Sequence, residues 1–160
     1  MAKSARQTVF DGLELLPDAL SPFVEQRLES GLTGDWQGKV RERLRDLRSE
    51  NGKFKWDQPG LFNAINIFWD DAFRDVLGRA ERSLVNELVD VRNKHAHNEK
   101  FSYDDAERAL DSMRRLMDAI SAGEVSAALT KMRDTILRTK FTELERAEEG
   151  RRDRRTEITV

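Results

Sequence analysis

Cysteine is absent from this 160-residue chain, which removes disulfide frameworks, thiolate zinc sites and cysteine nucleophiles from consideration. Long apolar runs are missing too. No stretch approaches the roughly 20 residues that span a bilayer, and the opening Met-Ala-Lys-Ser-Ala-Arg-Gln has no apolar segment of a secretory signal. The expectation is a soluble, cytoplasmic protein with no membrane partner. Nor is there an excess of one charge: 28 Lys and Arg stand against 30 Asp and Glu, so the chain as a whole lacks the field with which a strongly basic protein gathers polyanions. Proline is scarce, at positions 17, 22 and 59, and histidine scarcer, with two residues in all.

What is present is a near balance of charged (36%) and hydrophobic (38%) residues, typical of amphipathic helices that bury one stripe and solvate the rest. The length suits one domain. No internal repeat stands out, and every periodic segment recurs at three to four residues, which predicts an all-α bundle without a sheet. A first helix is expected over residues 8–16, ending before Pro17, and a second over 22–30, capped by Ser21 with Pro22 in its first turn. Val40, Leu44 and Leu47 predict a third, basic helix over 39–48 that leaves through Asn51-Gly52. The glycines at 31, 34 and 38 predict a loop around Trp36. After Pro59, the residues Leu61, Ile65, Phe68, Trp69, Ala72, Val76 and Leu77 share one helical face up to Gly78 and predict the most apolar helix, at the centre of the core. Leu84, Val85, Leu88 and Val91 predict a helix from Arg79 to about His95. Ser102 with Asp105 three residues on reads as an N-cap with an acidic first turn, ahead of the stripe Ala106, Ala109, Leu110, Met113, Leu116, Met117 and Ile120. A last helix follows Gly123 and reaches Phe141. Residues 142–160 are mostly charged and offer too little apolar surface to order themselves, so they read as a linker or frayed extension, and residues 1–141 as the domain.

Charge is unevenly spread along this plan. Residues 39–55 carry seven basic side chains against three acidic ones, a stretch that could meet phosphates or simply be a solvated helix face. Residues 79–115 carry eight of each sign.

Both histidines fall within five residues of an arginine, in Arg92-Asn93-Lys94-His95-Ala96-His97. On a continuous helix Arg92 and His97 would stand about 140° apart around the axis, so convergence within one chain requires the helix to end near His95. Given that ending, guanidinium and imidazole can address one scissile phosphate. Arginine matches non-bridging oxygens bidentately and never loses its charge. Histidine as a residue type exchanges protons near neutral pH. Asn93 could orient the imidazole or the phosphate, and no metal is needed. A second reading stands beside it: the histidines would meet the negative end of the helix dipole and Arg92 would pair with Glu87 or Glu99. His-x-His without thiolates is a poor metal site, since the sequence singles out no acidic ligands for it.

The motif and its setting resemble a known family. Arg-Asn-x-x-x-His follows an amphipathic helix and precedes a capped one. Around it stand Gly12-Leu13-Glu14-Leu15-Leu16, Leu20-Ser21-Pro22-Phe23-Val24-Glu25, Phe68-Trp69-Asp70-Asp71-Ala72-Phe73, Leu77-Gly78-Arg79-Ala80-Glu81-Arg82-Ser83 and Phe101-Ser102-Tyr103-Asp104-Asp105-Ala106. Together these are similar to the Swt-type branch of the HEPN superfamily over residues 8–141. The resemblance implies a bundle of about five to six helices, a catalytic pair at Arg92 and His97 with Asn93 as the adjacent polar residue, no cofactor, and RNA as substrate. It also implies a homodimer whose two motifs face each other across a two-fold axis, and an ATPase or helicase in the same chain or complex, in phage defence or RNA surveillance. His95 departs from the pattern, since this branch commonly shows tryptophan there. The implied activity is a metal-independent endoribonuclease leaving 2′,3′-cyclic phosphate and 5′-hydroxyl ends. The alternative is a non-catalytic dimerisation or nucleic-acid-sensing module of a larger ATPase, which fold resemblance alone leaves open.

Overall fold

The computed structural model describes residues 3–158, with side chains given as far as residue 156. Ser4 starts the first helix by accepting the Gln7 N–H on its side chain at 3.1 Å, and α1 then runs unbroken from Ala5 to Gly31 with Pro17 and Pro22 inside it. The two short helices expected here are one. Pro17 lacks the N–H that would bond the Leu13 carbonyl, and that carbonyl is taken instead by the Gln58 side-chain amide at 3.0 Å. Ser21 is not a cap: its hydroxyl donates to the Pro17 carbonyl at 2.5 Å. With Val9, Leu13, Leu16, Leu20, Val24 and Leu28 all buried along one side, α1 touches every other helix and forms the centre of the core.

Asp35 accepts the Gly38 N–H at 3.1 Å and opens α2 (Trp36–Arg43), so Trp36 begins a helix rather than sitting in a loop. The helix stops at Arg43, short of the expected end at 48. Beyond it, β1 (Arg48–Glu50) and β2 (Lys53–Lys55) pair antiparallel around Asn51 (φ 54) and Gly52 (φ 78), the positive-φ pair that a tight hairpin demands. This two-stranded hairpin is the one departure from an all-α architecture among the described residues. Asn51-Gly52 is its turn, not the exit of a helix.

Asp57 caps α3 (Gln58–Ile67), which breaks at Phe68 into a π-helical turn, Trp69–Phe73. The single helix expected up to Gly78 is therefore two pieces. The extra residue in the π turn lets Trp69, Ala72 and Phe73 all stay buried while Val76 swings out to 45% exposure. Gly31 of α1 lies so close to Ala72, whose Cα is 2.7 Å from where a Cβ would be, that only glycine fits there.

The next two helices follow expectation closely. The Glu81 carboxylate accepts the Gly78 N–H at 3.0 Å at the start of α4 (Arg79–Ala96). Ser102 and Asp105 bond each other's backbone N–H at the start of α5 (Tyr103–Ala119), whose buried stripe packs on α1, α4 and α6. α5 ends at Ile120 and Ser121, before Gly123. α6 then runs from Gly123 to Ile158. Its burial fades after Ile136, with Phe141 at 68% and Leu144 at 56% exposure. Residues 142–158 continue the helix in solvent instead of lacking order, because Glu, Arg and Ala are strong helix formers and pairs such as Arg152–Glu148 follow i,i+4 spacing. Positions 159 and 160 of the charged tail lie outside the described residues.

Candidate active site at the end of the fourth helix

The sequence ending Asn93-Lys94-His95-Ala96-His97-Asn98 closes α4 with a paired turn. The Asn98 N–H donates to the His95 carbonyl and the Glu99 N–H to the Lys94 carbonyl, both at 3.1 Å, while Asn98 takes a left-handed conformation (φ 57). This is the Schellman arrangement, with asparagine in the place usually filled by glycine. The helix thus ends at Ala96, close to the expected end near His95.

Arg6, from the first turn of α1, fixes this end. Its Nη2 donates to the His95 carbonyl at 3.0 Å and to the Asn98 side-chain oxygen at 2.7 Å. One cation therefore satisfies an orphan helix carbonyl and holds the residue with positive φ. Sequence reasoning missed Arg6, which lies 86 positions before Arg92 and in no recognisable pattern with it.

His95 turns inward. Its ring stacks on Phe10 with centroids 5.1 Å apart and meets Phe101 at 6.4 Å. Partial burial holds the imidazole below its ordinary pKa, and the Arg6 and Arg92 charges push the same way against the opposing influence of Glu14. Lys94 is structural as well. Its ammonium bonds Asp105 at 3.1 Å and lies 4.8 Å from the Phe101 ring centroid, which ties α4 to the capping turn of α5. The Ser102 N–H and Lys94 together hold the Asp105 carboxyl below the usual carboxylate range.

Asn93 and His97 are exposed and Arg92 is half-buried. None of the three side chains makes a hydrogen bond or ion pair among the described residues, and Glu87, one candidate partner for Arg92, is engaged by Arg108. Helical spacing brings Asn93 and His97 together, four apart, on one side of the last turn, and Arg92 and His95, three apart, on another. His97 keeps a near-helical backbone (φ −90, ψ 14), which at helical spacing leaves Arg92 and His97 about 140° apart around the axis. The two imidazoles also diverge, and among the described residues no three His, Asp or Glu side chains gather as metal ligands would. No helix among the described residues is long and apolar enough to cross a membrane.

The end of α4 is thus a rigid frame of Arg6, Phe10, Lys94 and His95 that presents three uncommitted polar side chains to solvent. Among known proteins, the family model of the Swt1-like HEPN domain matches residues 11–121. No curated protein and no solved structure gives a significant match. The matched span takes in α1 from its second turn, the hairpin, the π turn, the motif and the whole of α5, and the chain belongs to the Swt1-like HEPN family.

Proposed function

We propose that this domain is a metal-independent endoribonuclease whose composite site is built from Arg92, Asn93 and His97 of two copies of the chain. The observation that carries the reading is the division of labour at the end of α4: Lys94 and His95 are bound into the fold, whereas the side chains of Arg92, Asn93 and His97 make no hydrogen bond or ion pair among the described residues. Their angular separation within one chain favours a site shared across a two-fold axis, where the arginine of one copy can reach the phosphate addressed by the histidine of the other.

In such a site one imidazole, in its neutral form, takes the proton of the ribose 2′-hydroxyl as O2′ attacks phosphorus. The P–O5′ bond breaks, and the partner imidazolium gives its proton to the leaving oxygen. The two Arg92 guanidiniums hold the non-bridging oxygens and match the charge that develops on them. Asn93, beside His97, positions the ring or the phosphate. Products are a 2′,3′-cyclic phosphate and a 5′-hydroxyl. The setting would be defence or RNA surveillance, with an ATPase or helicase as partner. Incubating wild type and His97→Ala with RNA in EDTA, followed by end-group analysis, tests the proposal.

A non-catalytic, nucleic-acid-sensing or dimerisation role is favoured by one observation, the equal numbers of basic and acidic residues over 79–115, where a ribonuclease groove would be expected to be positive. Cleavage by the wild type that depends on His97 decides between the two.

A further inference from the structure

The positive charge missing around the motif is found elsewhere. Of the residues in α2, the hairpin and the turn between them, the seven basic ones (39, 41, 43, 45, 48, 53 and 55) are all exposed, against three acidic ones. The hairpin register places Arg48 directly across from Lys55, and Glu50 across from Lys53, so these four side chains share one face. The other face, with Phe54, packs inward. Like charges directly opposite on a ladder destabilise it. Glu50 reaches diagonally to Lys55, which leaves Arg48 and Lys53, together with Arg45 in the preceding turn, without a hydrogen bond or ion pair among the described residues. Three exposed cations without an ion-pair partner, two on the hairpin and one in the turn before it, are an arrangement that an anion would relieve.

Aromatic surface lies alongside. Phe54 sits between Trp36 and Trp56, with ring centroids 6.0 and 5.5 Å apart, and all three are only partly buried. An open groove of about 570 Å³ runs past Gly52, Lys53, Phe54 and Trp56 to the Pro17–Pro22 stretch of α1; Asp18 and Glu25 also line it, the latter engaged by the Trp56 N–H, so the phosphate contacts fall to the cations at its hairpin rim and the groove itself to a base. Cations beside half-exposed rings are the pairing that binds an unstacked nucleic-acid strand, phosphates to the cations and bases to the π faces. A duplex offers no free base to such a groove. The hairpin reaches α1 through Trp56 and Glu25, bonded at 2.9 Å, whereas the motif reaches it through Phe10. At 1.5 Å per residue those positions are about 22 Å apart along the helix.

We infer that the α2–hairpin face is a docking surface for single-stranded RNA, separate from the 92–97 motif, with Arg45, Arg48 and Lys53 on phosphates and the Phe54–Trp56 groove taking a base. The choice of RNA as the polyanion rests on the function proposed above. The surface supplies the electrostatic hold that the charge-balanced motif lacks.

The test is binding of a labelled single-stranded 2′-O-methyl oligoribonucleotide, which has no attacking hydroxyl, by the full chain across a salt series. The triple variant R45Q/R48Q/K53Q is expected to weaken binding by about tenfold at low salt and to flatten the log–log salt slope by about 0.7 for each phosphate left without its cation. The control R79Q/K131Q/R138Q, equal in charge removed, is expected to bind as wild type does. Unchanged affinity in the hairpin variant, equal weakening in both variants, or equal binding of the same sequence as a duplex would overturn the inference. Cleavage of a dinucleotide, too short to reach the hairpin, separates the two proposals. It should survive in the hairpin variant, and its absence from every form of the protein would count against the catalytic reading alone, leaving the docking result intact.

Discussion

Helices α4 and α5 end in the same backbone device and are held by opposite means. Each closes with a Schellman turn around a non-glycine residue of positive φ, Asn98 (57°) after α4 and Ser121 (62°) after α5. Yet α5 buries Leu110, Met113, Leu116 and Met117 completely, whereas α4 buries only Val85 and Leu88, both in its first three turns. The last turns of α4 are fixed by the Arg6 bonds, the His95–Phe10 stack and the Lys94–Asp105 pair. Burial secures one helix along its length. Specific polar and aromatic interactions secure the last turns of the other, and so leave their remaining surface exposed.

The most severe way to break this comparison is at the buried helix. Leu110→Ala should cost about 2–5 kcal/mol, from lost burial and the cavity left where α5 meets α1, measured by chemical denaturation. Its neighbour Gly12, whose Cβ would approach Leu110 Cδ2 to 2.9 Å, leaves little slack for repacking. At α4 the corresponding change is Arg6→Ala, which removes two charge-assisted bonds at a half-exposed site and should cost about 1–2 kcal/mol. Amide exchange of Asn98 and Glu99 should quicken well beyond that of α5 in this variant. Equal loss of protection in both helices would mean that Arg6 acts on the whole bundle.

A smaller effect sharpens the contrast between the two turns. Ser121→Gly should stabilise by about 0.5–1 kcal/mol, since glycine adopts positive φ without steric cost. Asn98→Gly should gain less or lose, because it deletes the acceptor that Arg6 holds. A pH titration gives the mildest test. With the His95 pKa lowered in the folded state, the unfolded chain binds more protons between the ordinary histidine value of about 6.5 and the folded one. This contribution is complete above about pH 6.5 and is lost as pH falls through the folded value, and His95→Phe should abolish that part of the slope. The Asp105 contribution, of the same sign, is lost only at more acidic pH, below about 4.

The same contrast explains what the sequence disclosed. The α5 stripe and its Ser102 cap were legible because periodicity and capping are local properties. So was the course of α4, and so was the motif as a cluster of residue types. The interruptions were not. A proline inside α1 is tolerated because Gln58, 45 residues from Leu13 in sequence, takes the Leu13 carbonyl, and no local rule anticipates that partner. Leu44 and Leu47 mimic helical spacing, yet α2 stops at Arg43 and Leu47 lies against Gly60 at the start of α3, while the Asn51-Gly52 turn directs the following residues into a hairpin. At the site, the inward turn of His95 depends on Phe10 and the exact end of the helix on Arg6, both distant in sequence and brought near only by the fold.

The role proposed for the exposed His97 is to move protons and not to hold the fold. The measurement is RNA cleavage in EDTA by wild type and His97→Ala, with product ends identified and stability compared in the same preparations. The expected result is wild-type cleavage leaving 2′,3′-cyclic phosphate and 5′-hydroxyl ends, none by the variant, and a stability difference within about 0.5 kcal/mol, as for other exposed substitutions. Cleavage that persists in His97→Ala, or that disappears from the wild type with chelator, would contradict it.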